Sequence, residues 1–342
     1  MRILILGGTQ FSGLHLVRAA VAAGHSVTVL HRGRHGGNVP EGVTQVVGDR
    51  DPEIGDGLER LSGLVTGGNG LHRGWDAVVD MSGYVPRVVS AAADLLAPVT
   101  RRYLFVSTVA VYPGQPDGAP DEDSAMVELA DPSVETITGE TYGGLKVLCE
   151  RVLQEKLGGR ATIVRPGFIV GPGDPTDRFT YWVRRLAAGG RVLVPAEVEC
   201  PSRWIDGRDL ADFMLRCVER DLGGVFNCLG LPEPVGFGAF LEGIARGVGA
   251  ASGGVEWVRR DAAWRDARTV RNGADLPLFI GMDRANLGRI RADRAFDAGM
   301  RVRSLEATAR DTLAWDRARG SPALKAGMSA EQEEQLLAEP VG

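Results

Sequence analysis

Tyr142 and Lys146 stand one helical turn apart in the run Tyr142-Gly143-Gly144-Leu145-Lys146, in a chain whose only other lysines are Lys156 and Lys325. On a helix that spacing puts both side chains on one face. A tyrosine hydroxyl, with a free pKa of about 10, is a poor base at neutral pH unless its phenolate is stabilised. An ammonium on the next turn supplies that stabilisation and lowers the pKa. The pair suits proton transfer at the oxygen of a hydroxyl or carbonyl while a hydride moves at the carbon. A core aromatic on a helix face is the plain alternative. With lysine so scarce, the spacing would arise by chance in roughly one such chain in twenty-five.

A hydride needs a carrier, and the amino terminus is built for one. Ile3-Leu4-Ile5-Leu6 runs directly into Gly7-Gly8-Thr9-Gln10-Phe11-Ser12-Gly13. A strand, a glycine-rich turn and a helix in that order aim backbone N–H groups at an anion and let the chain approach a pyrophosphate. Gly7, Thr9, Gln10, Phe11 and Gly13 are therefore candidate dinucleotide contacts. Gln10 holds the middle position of the usual G-x-x-G-x-x-G spacing, where its side chain crowds the pyrophosphate or donates to it through its amide. The second strand ends Leu30-His31-Arg32-Gly33-Arg34, with no carboxylate to accept from a ribose 2′-hydroxyl. Arg32 suits a 2′-phosphate, which favours NADP, with NAD as the alternative.

The elements that must position these residues are short apolar runs alternating with helical stretches. Strands are expected at 2–6, 26–30, 44–47, 77–79, 102–107 and 161–165, and helices after residue 10, over 88–96 and over 142–157. Segments 33–42 and 113–123 read as loops. Alternation of this kind predicts an α/β fold, a doubly wound parallel sheet of the Rossmann type with a smaller C-terminal substrate-binding lobe. The expected division is 1–166 for the dinucleotide-binding domain and 167–320 for the lobe, with segments returning to the sheet, a closing helix at 305–317, and a loosely held tail with a short acidic helix at 321–342. Phe168, Phe179, Tyr181 and Trp182 are expected in the lobe's core or on its pocket.

Composition excludes several classes. The net charge of −5 argues against a large nucleic-acid footprint. No apolar run is long enough to span a bilayer, and the apolar start is too short for a signal peptide, so a cytoplasmic location is expected. Cys149, Cys200, Cys217 and Cys228 lack metal-site spacing, and His15, His25, His31, His35 and His72 all lie early in the chain. No metal site is expected, and the cysteines read as buried free thiols.

On these motifs the chain resembles the extended and atypical short-chain dehydrogenase/reductases, the NAD-dependent epimerase/dehydratase family, over about residues 1–230. The glycine-loop variant is most similar to a branch holding bacterial reductase-like proteins and chloroplast stem-loop-binding proteins. The resemblance implies a catalytic hydroxyl on Thr108, within Ser107-Thr108-Val109-Ala110-Val111-Tyr112, alongside Tyr142 and Lys146, with Lys146 also bonding the nicotinamide ribose. It implies that Asp49 and Arg50 lie near the adenine, that Met81, Ser82 and Gly83 line the nicotinamide ribose, and that Pro166 of Arg165-Pro166-Gly167 passes the nicotinamide. It implies that residues 204–211, ending Asp209-Leu210-Ala211, help close the substrate site. Family members often pair through the helix carrying this motif, so the resemblance implies a homodimer.

Two departures narrow the reaction. Val109-Ala110 stand where sugar-nucleotide dehydratases of the family carry an Asp-Glu pair. Phe168 stands where many nucleotide-sugar epimerases carry a substrate-contacting asparagine. The reading that follows is an oxidoreductase acting on a small polar, sugar- or nucleoside-like metabolite. An epimerase with retained NAD and a non-catalytic nucleotide-sensing or RNA-binding protein remain the alternatives.

Overall fold

The computed structural model describes residues 1–65, 74–250 and 254–339; His72 and residues 340–342 of the expected tail lie outside the described residues. The first half of the chain builds β1 (Arg2–Leu6), α1 (Phe11–Ala22), β2 (Ser26–His31), β3 (Thr44–Val47), α2 (Gly57–Val65), β4 (Trp75–Asp80), α3 (Pro86–Leu96), β5 (Thr100–Val106), α4 (Tyr142–Leu157) and β6 (Ala161–Pro166). Each expected strand and helix of this half forms, with ends shifted by at most two residues. Helix α2 was not among the expected elements, although Leu58, Leu61 and Val65 carry its inward spacing.

These strands join a later one, β11 (Gly224–Cys228), in a seven-stranded sheet of order β11-β6-β5-β4-β1-β2-β3, all pairs parallel. The near-continuous apolar strands are explained by cover on both faces. One face packs against α1 and α6 (Gly207–Glu219), the other against α2, α3 and α4. The chain leaves β1 toward β2 and β3 on one side, then crosses to β4, β5 and β6 on the other. That reversal opens a crevice beyond Leu6 and Asp80, the carboxyl ends of β1 and β4, where doubly wound sheets take their ligands.

Beyond β6 come β7 (Phe168–Val170), α5 (Arg178–Ala188), β8 (Gly190–Pro195), β9 (Pro201–Ser202), β10 (Trp204–Asp206), β12 (Val235–Gly236), α7 (Phe237–Gly247), β13 (Val255–Arg260), α8 (Ala262–Asp266), α9 (Asp293–Asp297), α10 (Leu305–Ala318) and α11 (Ala330–Ala338). The lobe's own core gathers Phe179, Trp182, Trp204, Phe237, Phe240 and Phe279. Its members α6 and β11 return to the main sheet. The tail is docked rather than loose: Glu333 of α11 is buried, accepting from the Leu193 amide at 3.0 Å and from Arg185 Nε at 2.5 Å.

Candidate active site

A cavity of about 470 Å³ opens at the carboxyl ends of the central strands. Its inner wall carries Phe11, Ser12, Met81, Thr108, Tyr142, Lys146 and Pro166, residues named from the sequence or adjoining them. The loop after β5 brings Thr108 to this point, the end of β6 brings Pro166, and the first turns of α4 bring Tyr142 and Lys146. Close approach of α4 depends on its glycines: a Cβ at Gly143 would fall 2.2 Å from the Ala110 carbonyl oxygen.

Thr108 Oγ1 accepts from the Ala110 amide at 3.1 Å, which leaves its own O–H free to act on the neighbouring Tyr142 phenol. Burial pushes Tyr142 above its ordinary pKa, while the Thr108 bond and the Arg178 guanidinium pull it back. The stabilising cation expected of Lys146 is thus not the one that acts most directly on the phenol. Lys146 Nζ instead donates to the Gly83 carbonyl at 2.7 Å and the Val106 carbonyl at 2.6 Å. The rings of Phe105 and Tyr84 lie 4.3 and 4.9 Å from it. Burial lowers its pKa to about 8, so it remains largely charged at neutral pH. Two of its three N–H donors are spent on backbone, which leaves one for a ligand.

Two buried ion pairs lie next in sequence to residues that line the cavity. Glu150, one turn beyond Lys146, receives Arg165 Nε at 3.0 Å and Nη2 at 2.6 Å, and the Ser107 hydroxyl also donates to it. Arg165 donates in turn to the Tyr112 hydroxyl at 2.7 Å. Below Met81, Asp80 pairs with both terminal nitrogens of Arg50 and accepts from the Tyr103 hydroxyl at 2.9 Å. Arg50, expected near an adenine, therefore turns inward. Its neighbour Asp49 stays half-buried at the end of β3. Ser82 bonds the Leu6 carbonyl at 3.1 Å, tying the fourth strand's end to the first.

The glycine-rich loop has the shape of an anion cradle. Gly7 and Gly8 adopt φ of +97° and +84°, and a Cβ at Gly13 would fall 2.6 Å from the Gly8 Cα. Helix α1 starts without an acidic first turn and without a side-chain cap from Gln10, so its leading N–H groups are not covered by its own sequence. A dinucleotide pyrophosphate fits that donor set. At the end of β2, His31 is buried, with Nδ1 accepting from the Gly33 amide at 3.0 Å and Nε2 meeting Gln45 Oε1 at 2.9 Å. Arg32 is exposed, and among the described residues neither it nor Arg34 makes a hydrogen bond or ion pair.

The outer wall was not read from the sequence. Tyr84, the loop carrying Asp174, Pro175 and Thr176, Arg178 at the start of α5, Arg203, and Leu278, Ile280, Arg284 and Leu287 from the late lobe all line the cavity. The Gly171-Pro172-Gly173-Asp174-Pro175 punctuation marked the first of these loops, but not its direction. Residues 204–211 were expected to close the site. The cavity instead takes Pro201, Ser202 and Arg203 just upstream, while Trp204 is core and Asp206 caps α6. Of the four lobe aromatics only Phe168 reaches the cavity; Phe179, Tyr181 and Trp182 are buried in the lobe. The four cysteines are free and buried. No described helix is long and apolar enough to cross a membrane.

Residues 73–228 match the model of the NAD dependent epimerase/dehydratase family. Over 239 residues the chain is 28% identical to the chloroplast stem-loop binding protein of 41 kDa b of Arabidopsis thaliana, an alignment covering 67% of this chain and 58% of that protein. Its fold is that of Bordetella bronchiseptica WbmH, solved in complex with NAD+, at a TM-score of 0.66 and 16% identity over 93% of this chain and 99% of that one. Thermus thermophilus UDP-glucose 4-epimerase, in complex with NAD, superposes at a TM-score of 0.64 and 20% identity over 94% of this chain and all (100%) of that one. The human epimerase family protein SDR39U1, with NADPH, gives 0.58 and 20% over 92% and 99%. At these identities the structural likeness is one of fold. The match to the NAD dependent epimerase/dehydratase family lies within residues 73–228, and the fold around that segment is the one these solved structures share.

Proposed function

We propose that the protein is an NADP-dependent oxidoreductase that acts at a hydroxyl or carbonyl carbon of a small polar, sugar- or nucleoside-like metabolite. The observation that carries this reading is that the Thr108 and Tyr142 hydroxyls line one cavity with Lys146, and that the cavity runs back to the glycine-rich loop. A bound nicotinamide supplies or accepts the hydride at the substrate carbon. Thr108 and Tyr142 hold the substrate oxygen between them, so that the phenol meets it in line. With burial keeping Tyr142 protonated, it donates its proton as a carbonyl is reduced. In the reverse direction the charges of Arg178 and Lys146 favour the phenolate that must form. The remaining N–H of Lys146 is in place for a ribose hydroxyl. Catalytic roles therefore fall to Thr108, Tyr142 and Lys146, and dinucleotide contacts to Gly7, Thr9, Gln10, Phe11, Gly13, Arg32, Met81 and Pro166.

Arg32, exposed and unpaired, is the residue for a 2′-phosphate, a paired charge-assisted contact that corresponds to roughly a tenfold to hundredfold preference for NADP. Calorimetric titration of cofactor-free protein with NADP and NAD, repeated on Arg32→Ala, tests this. Equal or tighter binding of NAD by the native protein would displace the assignment. The family match favours one second reading, an epimerase that oxidises and re-reduces one carbon on retained NAD. Protein that purifies with tightly held NAD and shows no net redox turnover would establish it.

A further inference from the structure

Asp174 is the one acidic side chain among the residues lining the cavity, and it is 1% exposed. Its Oδ1 is fully used, accepting the Thr176 amide at 2.8 Å and the Thr176 hydroxyl at 2.6 Å. Its Oδ2 is buried and has no hydrogen-bond partner. A desolvated carboxylate oxygen without a donor is costly, so native proteins seldom leave one bare unless something else completes it. A ligand seated against this wall can supply the missing donor.

The loop's position says which end of a ligand lies nearest. His15 Nε2 donates to the Pro172 carbonyl at 2.9 Å, and a Cβ at Gly173 would fall 3.6 Å from Phe11 Cδ2 and 3.8 Å from its Cα. The loop is thus laid against the first turn of α1, over the glycine-rich cradle. The cavity that Asp174 lines from its outer wall is lined on its inner wall by Phe11, Pro166 and Tyr142. On the functional reading above, the nicotinamide end of the dinucleotide occupies that stretch. From this we infer that Asp174 Oδ2 accepts a hydrogen bond from the carboxamide N–H of the bound nicotinamide. This step rests on the proposed dinucleotide site and adds to it a residue that recognises the cofactor's reactive end. Burial pushes the carboxyl pKa up, and the Thr176 bonds and Arg178 offset that only in part, so a donor at Oδ2 would favour the charged form. A role confined to the Thr176 turn would be served equally well by asparagine.

The test uses NADP+ and its 3-acetylpyridine analogue, in which a methyl ketone replaces the amide and the N–H is gone. Both are titrated into the native protein and Asp174→Asn, followed by calorimetry and by thermal melting. The native protein is expected to bind NADP+ about tenfold or more tighter than the analogue, the loss of one charge-assisted bond. Asp174→Asn keeps an oxygen for Thr176 and should melt like the native protein. It places an NH2 opposite the carboxamide donor, so it should bind both compounds at the analogue's level. Equal affinity of the native protein for the two compounds overturns the inference without needing any variant. Native-like NADP+ affinity in Asp174→Asn also overturns it, returning the residue to its turn. Should the protein prefer NAD, the NAD pair of compounds serves in the same way. Failure of the native protein to bind any of them removes the dinucleotide reading and this inference together.

Discussion

The Glu150–Arg165 pair allows the strongest quantitative prediction, because both side chains are out of water. Glu150 is 0% and Arg165 2% exposed, so solvent screening does not dilute the interaction. Glu150→Gln preserves shape but leaves the Arg165 charge buried beside a neutral amide. Breaking one side of such a pair costs about 3–5 kcal/mol. At an unfolding entropy of about 2.1 cal/mol/K per residue, the 342-residue chain changes stability by about 0.7 kcal/mol for each degree near its midpoint. The melting temperature should therefore fall by about 4–7 °C, read by calorimetry or by circular dichroism at fixed protein concentration. Because Glu150 also receives the Ser107 hydroxyl beside Thr108, turnover should fall along with stability. Replacing both charges, as Glu150→Leu with Arg165→Met, removes the desolvation cost together with the attraction and should recover most of the lost stability. A single variant melting within a degree of native, or a double variant losing the sum of both singles, would refute the reasoning.

Other perturbations separate catalysis from folding. Tyr142→Phe should leave dinucleotide affinity and melting nearly unchanged while lowering turnover on an identified substrate by about two orders of magnitude or more. Gly13→Ala forces a Cβ to within 2.6 Å of the Gly8 Cα, so α1 must back away. Pyrophosphate affinity, measured by titration, should fall more than stability does. Lys146, held near pKa 8 in the fold but about 10.4 when unfolded, carries a burial penalty of about 3 kcal/mol. The penalty is fully present below pH 8 and relieved as pH rises toward 10. Lys146→Met should thus gain most over native in melts near pH 7, and the difference should shrink by pH 10 even though turnover is lost throughout. With Val109-Ala110 in place of an acid–base pair, nucleotide-linked hexoses should emerge from incubation with no loss of water by mass spectrometry.

Much of the molecule was legible before any coordinates. Short apolar runs marked six of the seven central strands, most plainly β1 and β4, because a strand buried on both faces has no polar side to disguise it. The Tyr142/Lys146 spacing and the glycine-rich loop were readable for a related reason: each acts within one turn or one element, so sequence distance stands in for spatial distance. The seventh strand, β11, was harder. Its place beside β6 depends on a crossover through the lobe that local pattern does not encode.

What only the tertiary structure decided is where charges and loops point. A motif puts Lys146 on the same face as Tyr142. Whether its ammonium turns to the phenol or to the Gly83 and Val106 carbonyls depends on how closely α4 is pressed onto β4 and β5. Arg50 follows β3 in sequence, yet it finds Asp80 across the sheet because a buried carboxylate there needs a counter-charge. The outer wall is assembled from Asp174 and Arg178, Arg203, and Arg284, drawn from three separated segments. No period or spacing links them, because they meet only once the lobe's own core has folded. The sequence alone was enough for six strands of the sheet, the glycine-rich turn and the Tyr142/Lys146 spacing, which are local. The substrate's surroundings are set by long-range packing, and there the fold itself had to be seen.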